Sequence, residues 1–165
     1  MFFDIVLGIA QAILGLFFLF AGLPKILGRG LSRWIGFDAV PRGLTIAIGT
    51  AEVAAGAALL IAPVTGLLLW SVPLAALGIA AISLAASGFH LREREWLPAL
   101  ETAMWAALGT TVAVARWSLL GAAPLATGVV PGVLACILLP ALAVNLTLLL
   151  RAPAGTMPEP APAAP

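Results

Sequence analysis

The sequence predicts an all-α protein, a bundle of helices that pass repeatedly through a lipid bilayer. Three observations predict it. Apolar residues make up 62% of the chain and charged residues 9%, against about 45–50% and 25% in soluble domains. A chain of 165 residues has too little interior to hide that much apolar surface from water, so lipid must act as its outer solvent. Five apolar stretches, near 5–23, 44–62, 66–89, 99–116 and 131–150, approach the roughly 20 residues that cross a bilayer. They are read as helices because a backbone in lipid must satisfy its own N–H and C=O groups.

The first stretch is read as an uncleaved span. Its leader, Met1-Phe2-Phe3-Asp4, has no positive side chain, and its apolar core exceeds the roughly 7–15 residues of a signal peptide. Pro24, Gly28, Gly30 and Pro41 then break regular structure over 24–43. In the same segment Leu31, Trp34, Ile35 and Phe37 lie among Lys25, Arg29, Arg33 and Arg42, which suits a loop lying at the membrane interface. Spans two and three meet at Ala62-Pro63-Val64-Thr65-Gly66, a tight hairpin. Spans three and four are joined by a short charged loop through Arg92, Glu93, Arg94 and Glu95, read as solvated. The fifth span opens on Pro131, a comfortable first helical residue, and carries Pro140, which should kink its middle. Residues 1–150 thus read as one transmembrane domain, and the Pro/Ala-rich 151–165 as a disordered cytoplasmic tail.

Charge orients the chain. With five spans, seven of the eight Lys and Arg side chains fall on one side, and Arg116 alone on the other. The positive-inside rule then puts the N-terminus outside and the C-terminus in the cytoplasm. Trp34 and Trp96 fall at the cytoplasmic interface and Trp117 at the outer one, as interfacial tryptophans do.

Helical periodicity shows which faces meet. Gln11, Gly15, Phe18, Gly22 and Lys25 share a face of the first span. Thr45, Gly49, Glu52 and Gly56 share one on the second, and Ala76, Ala80, Ser83, Ser87 and His90 one on the third. Small residues in such stripes let helices approach closely in lipid, so Gly15, Gly22, Gly49 and Gly56 are read as helix-packing positions. Phe17, Phe20, Leu67 and Leu68 are read as facing acyl chains.

Glu52 is the ionisable side chain set inside a long apolar run. An acid at bilayer depth costs about 2.5–3.5 kcal/mol on insertion scales and needs a named partner. At about 1.5 Å per residue it lies roughly 12 Å below the cytoplasmic start of its span. Lys25 ends the first span on that side, His90 closes the third above Ser83 and Ser87, and Glu101 opens the fourth with Trp105 one turn deeper. These seven residues form a candidate polar pocket in the cytoplasmic half of the bundle. Several polar residues of the spans also have a structural reading. Glu52 and Lys25 can be a buried pair that fixes orientation; His90 can cap a helix end; Glu101 suits the dipole of a helix N-terminus; Asn145 suits a bond between helices.

The same residues carry a resemblance. Ala21-Gly22-Leu23-Pro24-Lys25-Ile26-Leu27 resembles the signature closing the first helix of DoxX-like membrane proteins. Val40-Pro41 followed by Glu52, Gly56 and Leu59-Leu60 is similar to that family's second helix. A third helix ending in Ser87-Gly88-Phe89-His90, then a charged loop and a fourth helix closing in Arg116, also fits. The resemblance covers about residues 5–117 and implies a four-helix core, to which the fifth span is an addition. It implies a prokaryotic cytoplasmic membrane. It also implies a membrane subunit, because some relatives are associated with quinone-linked sulfur oxidation and others with responses to oxidative or thiol stress.

Absences narrow the chemistry. Cys136 is the single cysteine, so neither an internal disulfide nor a C-x-x-C redox centre can form. His90 is the single histidine, which excludes bis-histidine haem ligation within one chain. No H-E-x-x-H metal motif or phosphate-binding glycine loop is present, and a net charge of +1 carries no nucleic-acid signature. A redox role would borrow a cofactor, with a quinone from the bilayer as the candidate. Three functions stay open: a non-catalytic accessory subunit of a redox or stress-response assembly holding a quinone or lipid, a proton-coupled or small-solute carrier using Glu52, and a structural membrane anchor. A redox partner protein and a second copy of the chain stay open as partners.

Overall fold

The computed structural model describes residues 2–29 and 40–124, with single positions between 132 and 150. Of the predicted interfacial loop at 24–43, residues 30–39 lie outside the described residues, as do most of the predicted fifth span and the predicted tail at 151–165. The described positions between 132 and 150 are helical and exposed. Among the described residues the regular structure is helical throughout: α1 Phe2–Leu27, α2 Arg42–Thr65, α3 Ser71–Arg92 and α4 Trp96–Ala115, then a 3-10 helix at Trp117–Ala122. Four of these helices are long and apolar enough to cross a membrane. α1 packs on α2 and α3 on α4, while the α2–α3 and α1–α4 seams close the ring.

Helix ends follow local chemistry. α1 continues through Pro24 to Leu27 and stops at Gly28, whose φ of 70° only glycine adopts freely. Arg42, first residue of α2, donates from its guanidinium to the Lys25 and Ile26 carbonyls. A cation there suits both the orphan carbonyls and the negative end of the α1 dipole. Arg42→Gln should therefore lower stability by about 1–2 kcal/mol, read from thermal unfolding in detergent. The α2–α3 connection is longer than the predicted hairpin. Gly66 ends α2 in the left-handed conformation and Leu68 follows at φ 53°, so α3 begins at Ser71 rather than near Gly66. Pro73 and Pro98 each sit in a first helical turn, where a missing N–H leaves no bond unmade.

Pro63 lies deeper, inside α2, and removes the N–H that the Leu59 carbonyl would receive. Gln11 replaces it. Its Nε2 donates to Leu59 O at 2.8 Å from the buried face of α1, so a polar side chain at mid-span repairs a proline defect in the neighbouring helix.

The α1–α2 contact is antiparallel and built on glycine. Gly15 and Gly22 are spaced as Gly49 and Gly56 are, so they pair in reverse order. A Cβ on Gly56 would stand 2.6 Å from Gly15 O, and one on Gly22 2.6 Å from Gly49 O. Backbones touch at both levels, the geometry that small residues permit in lipid. Gly109 does the same for α3–α4, where a Cβ would stand 2.8 Å from Ala76 O. The apolar core is Leu14, Phe18, Leu59, Val72, Ile79 and Val112 with their neighbours.

Candidate functional site

Glu52 owes its place to the glycine faces. Its Cβ passes over Gly22, and the Lys25 Cβ passes over Gly49, so the two stems cross where no side chain obstructs them. Lys25 Nζ then donates to both Glu52 oxygens at 2.6 Å, and both residues are buried, at 4% and 2% exposure. A carboxylate so enclosed is tolerable only with its charge matched and its oxygens occupied, and Lys25 does both.

Beside this pair lies a cavity of about 490 Å³, within the roughly 300–1,000 Å³ typical of small-molecule sites. All four helices border it: Phe17, Phe18, Ala21 and Lys25 from α1, and Ile48 and Glu52 from α2. α3 supplies Ile82, Ser83, Ala85, Ala86, Phe89 and His90, and α4 supplies Pro98, Glu101, Thr102 and Trp105, with Val40 at the rim. The surface is mainly apolar. Phe17 stacks on Trp105 with centroids 4.1 Å apart and planes at 20°, and Phe18 meets the same indole edge-on at 6.1 Å. This aromatic cluster bridges α1 and α4.

Six of the seven predicted pocket residues border one space: Lys25, Glu52, Ser83, His90, Glu101 and Trp105. Ser87 stands outside the lining and donates to Ala99 O at 3.0 Å, tying α3 to α4. His90 does not reach Glu52. Its Nδ1 stands 2.7 Å from Glu95 Oε2, so Glu95 is half-buried against His90 rather than freely solvated. Trp105 Nε1 donates to Glu101 Oε1 at 3.4 Å on the exposed side. Ser83 Oγ, by contrast, is buried with no hydrogen-bond partner.

Phe17 was expected to face acyl chains, with Phe20, Leu67 and Leu68. Phe20, Leu67 and Leu68 are exposed, but Phe17 is half-buried against Trp105. It lies one position from the inward stripe, where only the placement of α4 decides its direction. The role of Arg42 was also missed, as was that of Gly109. Gln11 as partner to Leu59 was legible in principle: a proline at position 63 orphans the carbonyl at 59, and Gln11 is the amide on the facing stripe.

Among the described residues, no group of three or more His, Cys, Asp or Glu side chains could hold a metal ion. The arrangement suits retention of a lipophilic molecule with a small polar head. No curated protein and no solved structure matches the chain. The DoxX-like family model matches residues 9–115, which spans α1 from its second turn to the end of α4, and the chain belongs to that family.

Proposed function

We propose that this membrane protein is a non-catalytic accessory subunit that holds the head of a quinone or lipid in the cavity beside Lys25 and Glu52. It serves a membrane-associated redox or stress-response assembly, in a prokaryotic cytoplasmic membrane with the N-terminus outside and the cavity in the cytoplasmic half. One observation carries the reading: a mainly apolar cavity of about 490 Å³ with an aromatic wall and a few buried polar groups. The α1–α4 seam supports it further, being bridged by side chains, the Phe17–Trp105 stack, and bordering the cavity on both sides. A ligand dissolved in the bilayer enters laterally there and leaves its tail among acyl chains. The closed Lys25–Glu52 pair favours holding over transport, since a carrier titrating Glu52 must first break two bonds at 2.6 Å.

Ala86→Leu tests this by filling the cavity from α3. The variant should fold normally yet lose most of the lipophilic molecule that accompanies the wild-type protein through gentle purification, as seen by native mass spectrometry. Equal retention by both proteins would contradict the reading. Uptake into vesicles that disappears in Glu52→Gln protein would support the carrier instead.

A further inference from the structure

Most hydroxyls on these helices are spent on a backbone carbonyl. Thr65, Thr102, Thr110 and Thr111 each donate to the carbonyl four residues back, at 2.8–2.9 Å. Ser87 donates across the helix interface instead. Each arrangement removes a proton donor from an apolar surround, where an unmade hydrogen bond is costly. Ser83 does neither. It is 3% exposed, its Oγ makes no hydrogen bond, and it borders the cavity. Among the described buried side chains it alone lacks a partner. A donor left open in this way is complete only when something in the cavity accepts from it.

We infer that Ser83 anchors the ligand by donating a hydrogen bond to an oxygen on a flat, electrically neutral head group. This deepens the proposed function and rests on the cavity being a ligand site. Neutrality follows from the electrostatics of the wall. Lys25 and Glu52 already satisfy each other, His90 is taken by Glu95, and Glu101 lies on the exposed side with Trp105, so a charged head beside Ser83 would either stay unmatched in an apolar space or pull the Lys25–Glu52 pair apart. Flatness follows from the ring surfaces of Phe18, Phe89 and Trp105, against which a planar group packs with the least lost contact. Ser83 is thus a binding residue that sets which head groups are held.

The test uses the full chain in detergent micelles, with decyl-benzoquinone as the neutral flat probe and oleate and decyltrimethylammonium as charged counterparts. Calorimetric titration should show saturable binding of the quinone by the wild type, weakened about tenfold in Ser83→Ala, the equivalent of one hydrogen bond. Without ligand, Ser83→Ala should melt at the same temperature as the wild type or higher, because it deletes an unsatisfied hydroxyl. A purely structural serine would give the opposite: a lower melting temperature and unchanged affinity. Either of those results overturns the role of Ser83 while leaving the cavity as a ligand site. Tighter binding of a charged probe overturns the neutral head. No saturable binding of any probe by the wild type overturns the ligand site itself.

Discussion

Lys25→Met is expected to destabilise the bundle by about 3–5 kcal/mol, the largest effect of any single replacement outside the glycines. The reason is the group left behind. Glu52 is 2% exposed and both its oxygens rest on Lys25 Nζ. Without the ammonium, the carboxylate must remain charged and unpaired inside the bundle, take up a proton, or drag the α1–α2 contact open. Each route costs stability. Removing both partners should cost far less. Lys25→Met combined with Glu52→Leu leaves no buried charge, and such exchanges are often neutral or stabilising. Unfolding in mixed micelles with rising dodecyl sulfate reads both proteins on one scale. A double variant as unstable as the single one would show that the pair contributes net stability beyond mutual neutralisation.

Gly56→Ala is expected to separate α1 from α2. The new Cβ would stand 2.6 Å from Gly15 O and 2.8 Å from Leu19 N. Both are backbone atoms, which cannot rotate aside as a side chain would. Overpacking of this kind costs about 1–3 kcal/mol when the neighbours can shift, and here the shift must move a whole helix. Gly49→Ala should be similarly severe and more local to the site, because its Cβ would meet both Gly22 O and the Lys25 stem. Gly78→Ala is the control. Nothing lies within 4 Å of its added Cβ, and it sits inside α3. There alanine should raise stability by about 0.5–1 kcal/mol through helix propensity alone. Thermal unfolding of the three variants separates close packing from a general intolerance of alanine.

The inward faces were legible because lipid imposes a simple pattern. A stripe of glycine, serine, glutamine and ionisable residues on an otherwise apolar helix has no place to go but the interior. The stripes through Gln11, Gly22 and Lys25, through Gly49 and Glu52, and through Ser83 and His90 are indeed buried. The Lys25–Glu52 pair followed from the same periodicity with a side-chain length added. What could not be read depends on distances between helices. Phe17 is apolar whether it faces lipid or Trp105, and hydropathy assigns it no side. Glu95 looks like any loop acid until the α3–α4 turn, with Arg94 at φ 63°, brings it beside His90. The cavity itself is empty space, set by where four helices fail to touch. No residue type encodes it directly.

The α1–α2 packing and the cavity beside it turn on a carboxylate inside the bundle being held by the ammonium of the facing helix. Lys25 is the one lysine in the chain, so nitrogen-labelled lysine gives a single side-chain signal. Magic-angle-spinning NMR of the protein in lipid, with carbon-labelled glutamate, can measure how close that nitrogen lies to a carboxyl carbon. Strong dephasing at ion-pair contact, matching the 2.6 Å nitrogen–oxygen separation and vanishing in Glu52→Gln, is the expected result. A lysine nitrogen with no glutamate carboxyl at contact distance would contradict the packing of α1 on α2 and the cavity built beside it.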